Sequence, residues 1–336
     1  MRQLPGRSST DVLLFGAQNP AHPWWQIAER IVERLVGFHE PLLPDARIAL
    51  VTPAALQGAR ANPVEVGEGS LAVGITTPSV AARMALEGVG VYDRPAPGLR
   101  ALAAFPHIDC LVFAVDARTG LESLEQLVEQ RYPLRLVTGR RSAPGNDDVL
   151  TFLVEEVLRE YGASYADIES WGGSVTYGGP THIGGRLLFE DTVDALFHEA
   201  RTQSIWREIA EARPLNVLSV NEEVRATLRQ RYGFGEYTIE AGDYRGVESP
   251  VATVDFSGWL VFCRDDLPFD CAYAFAQACA EIGENSMELP ADVRRSLRMP
   301  IEVEYLFRET AIALHPGAEA FAREHGYLPA EQVGVA

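Results

Sequence analysis

The chain has 336 residues, 47% hydrophobic and 9% aromatic, with 47 acidic against 29 basic side chains and a formal net charge of −18. A single core stops growing at roughly 250–300 residues, so this length predicts two domains. The acidic excess argues against nucleic acid and anionic membranes as partners, because both call for basic patches. No stretch approaches the roughly 20 apolar residues of a membrane span, so no membrane insertion is expected.

Lysine is absent, and every one of the 29 basic residues is Arg. Schiff-base chemistry, pyridoxal phosphate attachment and a P-loop lysine are thereby excluded. An anion site must use Arg, His, hydroxyls or backbone N–H groups. Cys110, Cys263, Cys271 and Cys279 form no CxxC pair. They read as free thiols in a reducing compartment, not as a zinc site. No GxSxG, HExxH, GxGxxG or P-loop pattern occurs, so neither cofactor nor metal is expected.

The first 20 residues hold only a short apolar run, VLLFGA, flanked by polar residues. This is not the long apolar centre and small-residue cleavage site of a secretion leader. The run reads as a first strand, and the expected location of the chain as it stands is the cytoplasm.

Strand and helix patterns then alternate. Asp11–Gly16 reads as a strand and Trp24–Val36 as a helix. Arg47–Thr52 and Leu71–Thr76 are strands, and Pro78–Glu87 is a helix. Leu99–Ala104, Asp109–Asp116 and Leu134–Thr138 are strands. Asp147–Tyr161 is an amphipathic helix. Thr192–Phe197, Leu215–Val220 and Val251–Cys263 close the series as strands. Such alternation predicts doubly wound α/β sheets. The long apolar strands near 112 and 258 are the expected crossings between two lobes. Lobe I would then be 1–115 plus 248–336, and lobe II 116–247.

Four segments at predicted strand ends carry candidate chemistry. Asn19 and Trp24 follow the first strand, where one of two adjacent Trp residues can stack on a flat ligand or simply pack in the core. Thr76, Thr77 and Ser79 bracket Pro78 at a helix start, as ligand-binding hydroxyls or as an N-cap. Arg141, Ser142 and Asn146 precede the helix at Asp147. Free N–H groups there suit a carboxylate, and Arg140 and Arg141 offer a bidentate grip. The bland alternative is an Asn or Asp cap. His198, Glu199 and Arg201 follow VDALF as groups able to hold a carboxylate or move a proton, or as a solvated strand end. His182 sits in a glycine-rich stretch that reads as a surface loop. His315 reads as a cap on the last helix.

Several stretches resemble one family. GEGSLAVGITTPSVAARMALEGVGVY, LRALAAFPHIDCLVFAVDARTGLESLEQL, GDYRGVESPVATVDF and LHPGAEAFAREHG are similar to blocks of the TAXI solute receptors. Those are the extracytoplasmic binding subunits of TRAP transporters. The chain departs from the family at Phe197–Arg201, where a glycine–proline element is usual, and in lacking a lysine-rich strand before the Gly-Ser loop. The resemblance implies a two-lobed, type II periplasmic-binding-protein fold, with two doubly wound α/β lobes joined by two crossing strands. It implies a small organic carboxylate held in the interlobe cleft, with Tyr244 added to the ligand-binding set. TRAP membrane subunits would be partners only if a leader has been trimmed. Without a leader, two other readings stand. One is a cytoplasmic, cofactor-independent decarboxylase or lyase using His198, Glu199 and Arg201. The other is a cytoplasmic sensor.

Overall fold

The computed structural model describes residues 12–18, 20, 22–52, 58–143 and 146–329. Asn19, expected at the site, and Gly145 of the Gly-Ser loop lie outside them.

The first strand, β1 (Leu13–Gly16), buries Leu13, Phe15 and Gly16 beneath α1 (Pro23–Val36). Pro23 suits the first helical turn, where its missing N–H costs nothing. Trp24, Ile27, Ile31 and Leu35 recur at helical spacing and are buried on one face. Each contributes roughly 1.5–3 kcal/mol through removal from water. There follow β2 (Ile48–Val51), α2 (Gly58–Gly67), β3 (Val73–Thr76), α3 (Val80–Glu87) and β4 (Leu99–Phe105).

The next elements are β5 (Val112–Asp116), α4 (Leu124–Glu129), β6 (Arg135–Thr138), β7 (Arg141–Ala143) and β8 (Asn146–Asp147). Then come α5 (Val149–Glu160), α6 (Tyr165–Ser170), β9 (Ser174–Tyr177), α7 (Thr181–Phe189) and β10 (Ala195–His198). They continue through α8 (Ser204–Ala212), β11 (Leu215–Val217), α9 (Glu222–Tyr232), β12 (Glu236–Ile239) and β13 (Val251–Val254). The chain ends with β14 (Trp259–Arg264), α10 (Phe269–Glu284), α11 (Ala291–Arg295), α12 (Tyr305–Arg308) and α13 (Pro316–Glu324).

The chain divides into two compact units, 1–108 with 257–336, and 109–256. The boundaries read from the sequence were 115/116 and 247/248. The apolar run at 109–116 stays within the second unit. The run Val251–Cys263 is not one strand. It breaks into β13 and β14, one in each unit, with Gly258 at φ +89° between them. A left-handed glycine ends an extended strand at almost no cost, and hydrophobicity alone does not reveal it.

Each unit has a five-stranded mixed sheet. In the first the order is β2-β1-β3-β14-β4, with β1 parallel to β2 and β3 and β14 antiparallel to both neighbours. In the second the order is β11-β5-β10-β6-β9, with β6 parallel to β10 and β9 and β5 antiparallel to β10 and β11. The register sets His198 opposite Val112. Each unit has its own core, around Phe15, Ile31, Val261 and Phe275 in the first and Val112, Leu196, Trp206 and Ile209 in the second. Among the described residues no helix is long and apolar enough to cross a membrane.

Candidate functional site

In open α/β sheets, ligands sit beyond the carboxyl ends of the parallel strands. In the first unit that edge carries the ends of β1, β3 and β4 and the start of β14.

The side chain of Thr76 is wholly buried, and its hydroxyl donates to the Ala59 carbonyl at 2.7 Å. It ties β3 to α2, so it is a structural residue and not the ligand contact expected of it. The next hydroxyls behave differently. Thr77 Oγ1 and Ser79 Oγ are both buried, and neither has a hydrogen-bond partner. Ser79 immediately precedes α3 yet does not cap it. Its N–H donates instead to the Ser257 carbonyl at 3.1 Å. A buried hydroxyl without a partner costs about 1–3 kcal/mol. Two stand together at this uncapped helix start, where the Ala81 and Ala82 N–H groups already donate to the Pro78 and Ser79 carbonyls at 3.0 and 3.2 Å, so the hydroxyls are the groups in want of a partner.

Gly258 makes room for this arrangement. A Cβ placed on it would stand 2.0 Å from Ser79 Oγ. Its N–H donates to the His107 carbonyl at 3.2 Å. The His107 ring stacks on Trp259 at 4.6 Å, and burial lowers its pKa to about 3, so it is neutral. Trp24 is only 4% exposed and belongs to the core. The expected stacking role for Trp24 is therefore corrected: α1 turns that ring inward, against the sheet.

The second unit's edge gathers the ends of β6, β9 and β10, the starts of α5 and α7, and the residues leading into β5. Here the groups expected to grip a ligand are already occupied. Arg141 holds Asp147 with both ends of its guanidinium, at 2.5 and 3.0 Å, and lies 4.6 Å over the Tyr177 ring. Ser142 and Asn146 are exposed and hydrogen-bonded to each other across the β7–β8 pair. The helix start belongs to Asp148, whose carboxylate accepts the Thr151 N–H at 2.7 Å and the Arg140 N–H at 2.8 Å. An internal carboxylate thus fills the anion position expected for a ligand at α5.

His198 is 2% exposed. Nε2 donates to the Gly179 carbonyl at 2.8 Å, while Nδ1 lies 2.9 Å from both the Thr181 hydroxyl and the Glu199 N–H. The Glu199 N–H must donate, so Nδ1 is an acceptor and the ring is neutral. Burial also lowers its pKa to about 4. Both nitrogens are committed to holding the end of β10 against the start of α7. The expected proton-carrying role is replaced by a structural one.

Arg201 pairs with Asp243 at 2.5 Å and lies 5.3 Å from the centre of the Tyr237 ring. Tyr244 is 7% exposed, and its hydroxyl donates to the Arg201 carbonyl at 2.7 Å. It braces that turn from within the core and is corrected from ligand contact to support.

The Asp cap weighed as the alternative at the start of α5 is the one found, at Asp148, while sequence reasoning missed Asp109 and Gly258. Asp109 is 1% exposed and accepts N–H groups from Cys110, Ala200 and Arg201 at 2.8, 3.0 and 3.1 Å. The available signal was a lone acid leading into a fully apolar strand. Among the described residues no group of three or more His, Cys, Asp or Glu side chains could hold a metal ion.

Solved structures with this arrangement are distant in sequence. A Xanthomonas citri protein bound to ATP superposes with a TM-score of 0.51 at 12% identity, covering 94% of this chain and 99% of its own. PhnD1 from Prochlorococcus marinus, in complex with methylphosphonate, gives 0.49 at 13% identity, covering 94% and 99%. A TctC solute-binding protein from Polaromonas, without ligand, gives 0.47 at 12% identity, covering 94% and 95%. The first of these supports a shared α/β architecture. The sequence pattern of the NMT1-like family matches residues 41–326, most of the chain. This chain therefore belongs to the NMT1-like family.

Proposed function

We propose that this chain is a solute-binding protein of the TAXI kind that holds a small organic carboxylate, with Thr77 and Ser79 among its contacts. The observation that carries the reading is the pair of buried, partnerless hydroxyls at the uncapped start of α3. A carboxylate is acceptor-only and meets both hydroxyls together, beside the positive end of the α3 dipole. Membership of the NMT1-like family supports the reading. As a solute-binding protein it would deliver its ligand to membrane subunits of a transporter.

The decarboxylase or lyase alternative relied on His198 as its proton carrier. That ring is neutral, sealed and committed to backbone groups at both nitrogens. The geometry favours binding over turnover.

A thermal-shift screen of aliphatic dicarboxylates, amino acids and aromatic carboxylates tests the proposal. A ligand that binds only the folded state adds about 2.7 kcal/mol at a hundred times its Kd. At least one compound should raise Tm and be recovered unchanged after incubation. Thr77→Val combined with Ser79→Ala should remove most of the rise while raising the ligand-free Tm, because each removes a buried hydroxyl whose missing partner is a cost to the fold. A flat panel, a double variant that keeps the full shift, or conversion of the bound compound would each overturn the reading.

A further inference from the structure

The second half of α1 and the turn after it face the end of α10 and the segment that follows, across a groove of about 730 Å³. Ile282 and Leu289 give the groove apolar lining, and both pack into the core of the first unit. Its central charges are already spent on each other. Arg34 holds the Glu281 carboxylate with Nε and a terminal nitrogen and also donates to the Glu40 carbonyl at 2.6 Å.

Phe38 stands at the rim. With 104% relative exposure it is the most exposed large hydrophobic residue among those described. The ring is not on a loose end. The Gly37 N–H donates to the Glu33 carbonyl at 2.8 Å, and a Cβ on Gly37 would lie 2.3 Å from that oxygen. Further along, the Leu42 and Leu43 N–H groups return to the Arg34 and Leu35 carbonyls at 3.4 and 2.7 Å. The chain therefore pins an aromatic ring in water beside an apolar hollow that the ring does not fill. Buried aromatic anchors seated in pockets are what dominate protein interfaces.

The polar rim says which partner fits. His39 follows the ring on one wall, and Glu288 precedes Leu289 on the other. Among the described residues neither of these side chains takes part in an ion pair or hydrogen bond. A surface that carries both a knob and a hole, with an unspent donor beside one and an unspent acceptor beside the other, is complementary to itself. That is the requirement of a twofold contact, where each residue meets its counterpart's partner and the reverse. A surface of mixed sign does not suit an anionic lipid or a nucleic acid.

We propose that this groove is a twofold contact between two copies of the chain, each inserting Phe38 into the other's hollow and setting His39 against the other's Glu288. An imidazole can donate to a carboxylate whether or not it is charged. Two exchanged rings bury about 300–500 Å², against about 1,200–2,000 Å² for a standard interface. The dimer is therefore weak and depends on concentration.

Sedimentation equilibrium of the full chain tests this from about 1 μM to about 1 mM. Physiological ionic strength is used, so that the net charge of −18 is screened. The mass should rise from monomer to dimer and stop there. Phe38→Ser should weaken the dimer roughly a hundredfold, because the twofold axis removes the ring twice. It should leave Tm at low concentration unchanged, since the ring is already in water. Glu288→Arg should also weaken the dimer, and adding His39→Glu should restore it by exchanging the pair. Monomer at every concentration, growth beyond a dimer, or a dimer indifferent to Phe38→Ser would each overturn the proposal, as would a charge exchange that restores nothing. A monomeric wild type that releases a small molecule on denaturation, where Phe38→Ser releases none, would make the groove a ligand site instead and equally overturn it.

Discussion

The two strand-end edges solve one problem in opposite ways. In the first unit, α3 begins without a side-chain cap, and Thr77 and Ser79 carry buried hydroxyls with no partner. In the second, α5 is capped by Asp148, and the turn after β10 closes on Asp109. Both edges expose the donors that make helix starts and tight turns attract anions. One edge leaves two hydroxyls unmet, and the other meets its backbone donors with its own carboxylates. A helix start whose anion the chain already supplies, as at α5, is closed to a ligand there.

The largest test of this contrast is Gly258. Its φ of +89° and the 2.0 Å approach of a Cβ to Ser79 Oγ make Gly258→Ala costly. Left-handed strain and overpacking each cost about 1–3 kcal/mol, so a loss of roughly 3 kcal/mol or more is expected in denaturant unfolding. Adding Ser79→Gly should restore the steric share. A loss that Ser79→Gly does not relieve would mean that the two residues do not share this space.

Acid should act on the second unit's edge. His198 is an imidazole whose folded pKa, about 4, lies below its ordinary 6.5. As pH falls, the imidazole takes up a proton readily in the unfolded chain, and the folded state resists it. Stability is thus fully present above pH 6.5 and falls as pH drops toward 4, by about 3 kcal/mol for a shift of this size. His198→Gln should lower stability at neutral pH yet flatten this acid limb, read from Tm against pH. An unchanged limb would place the acid sensitivity elsewhere.

Asp148→Ala gives the smallest effect and the sharpest comparison. Loss of the cap should cost about 1 kcal/mol. It should also turn the start of α5 into the kind of open anion site proposed at α3. Inorganic phosphate should then raise the variant's Tm more than the wild type's. Equal responses would mean that Asp148 does not occupy an anion position.

Much of the framework was readable. Apolar runs located β1, β3, β4, β5 and β6, and the periodicity of WWQIAERIVERLV and DDVLTFLVEEVLREY placed α1 and α5 within a few residues. His315 caps the last helix as expected, its Nδ1 accepting the Gly317 N–H at 3.1 Å. The candidate site was less readable, because residue type does not say who the partner is. Arg141 reads as a ligand grip until Asp147 appears opposite it on the paired strand. Thr76 and Thr77 are adjacent and chemically identical. One donates to the Ala59 carbonyl, and the other is left unmatched.

By itself, the sequence determined the alternating α/β elements, the division into two units and the dependence on Arg, His, hydroxyls or backbone donors for any anion site. Hydrophobic periodicity and composition are local properties, and they suffice for those conclusions. Tertiary structure alone decided which donors remain unmet. Asp109 and the Ala200–Arg201 amides are 91 and 92 residues apart, and they meet only because β5 and β10 pair antiparallel. Gly258 clears space for Ser79 through a strand pairing that no local pattern encodes. Whether a polar group serves the fold or a ligand depends on where its hydrogen bond goes, and long-range packing sets that destination.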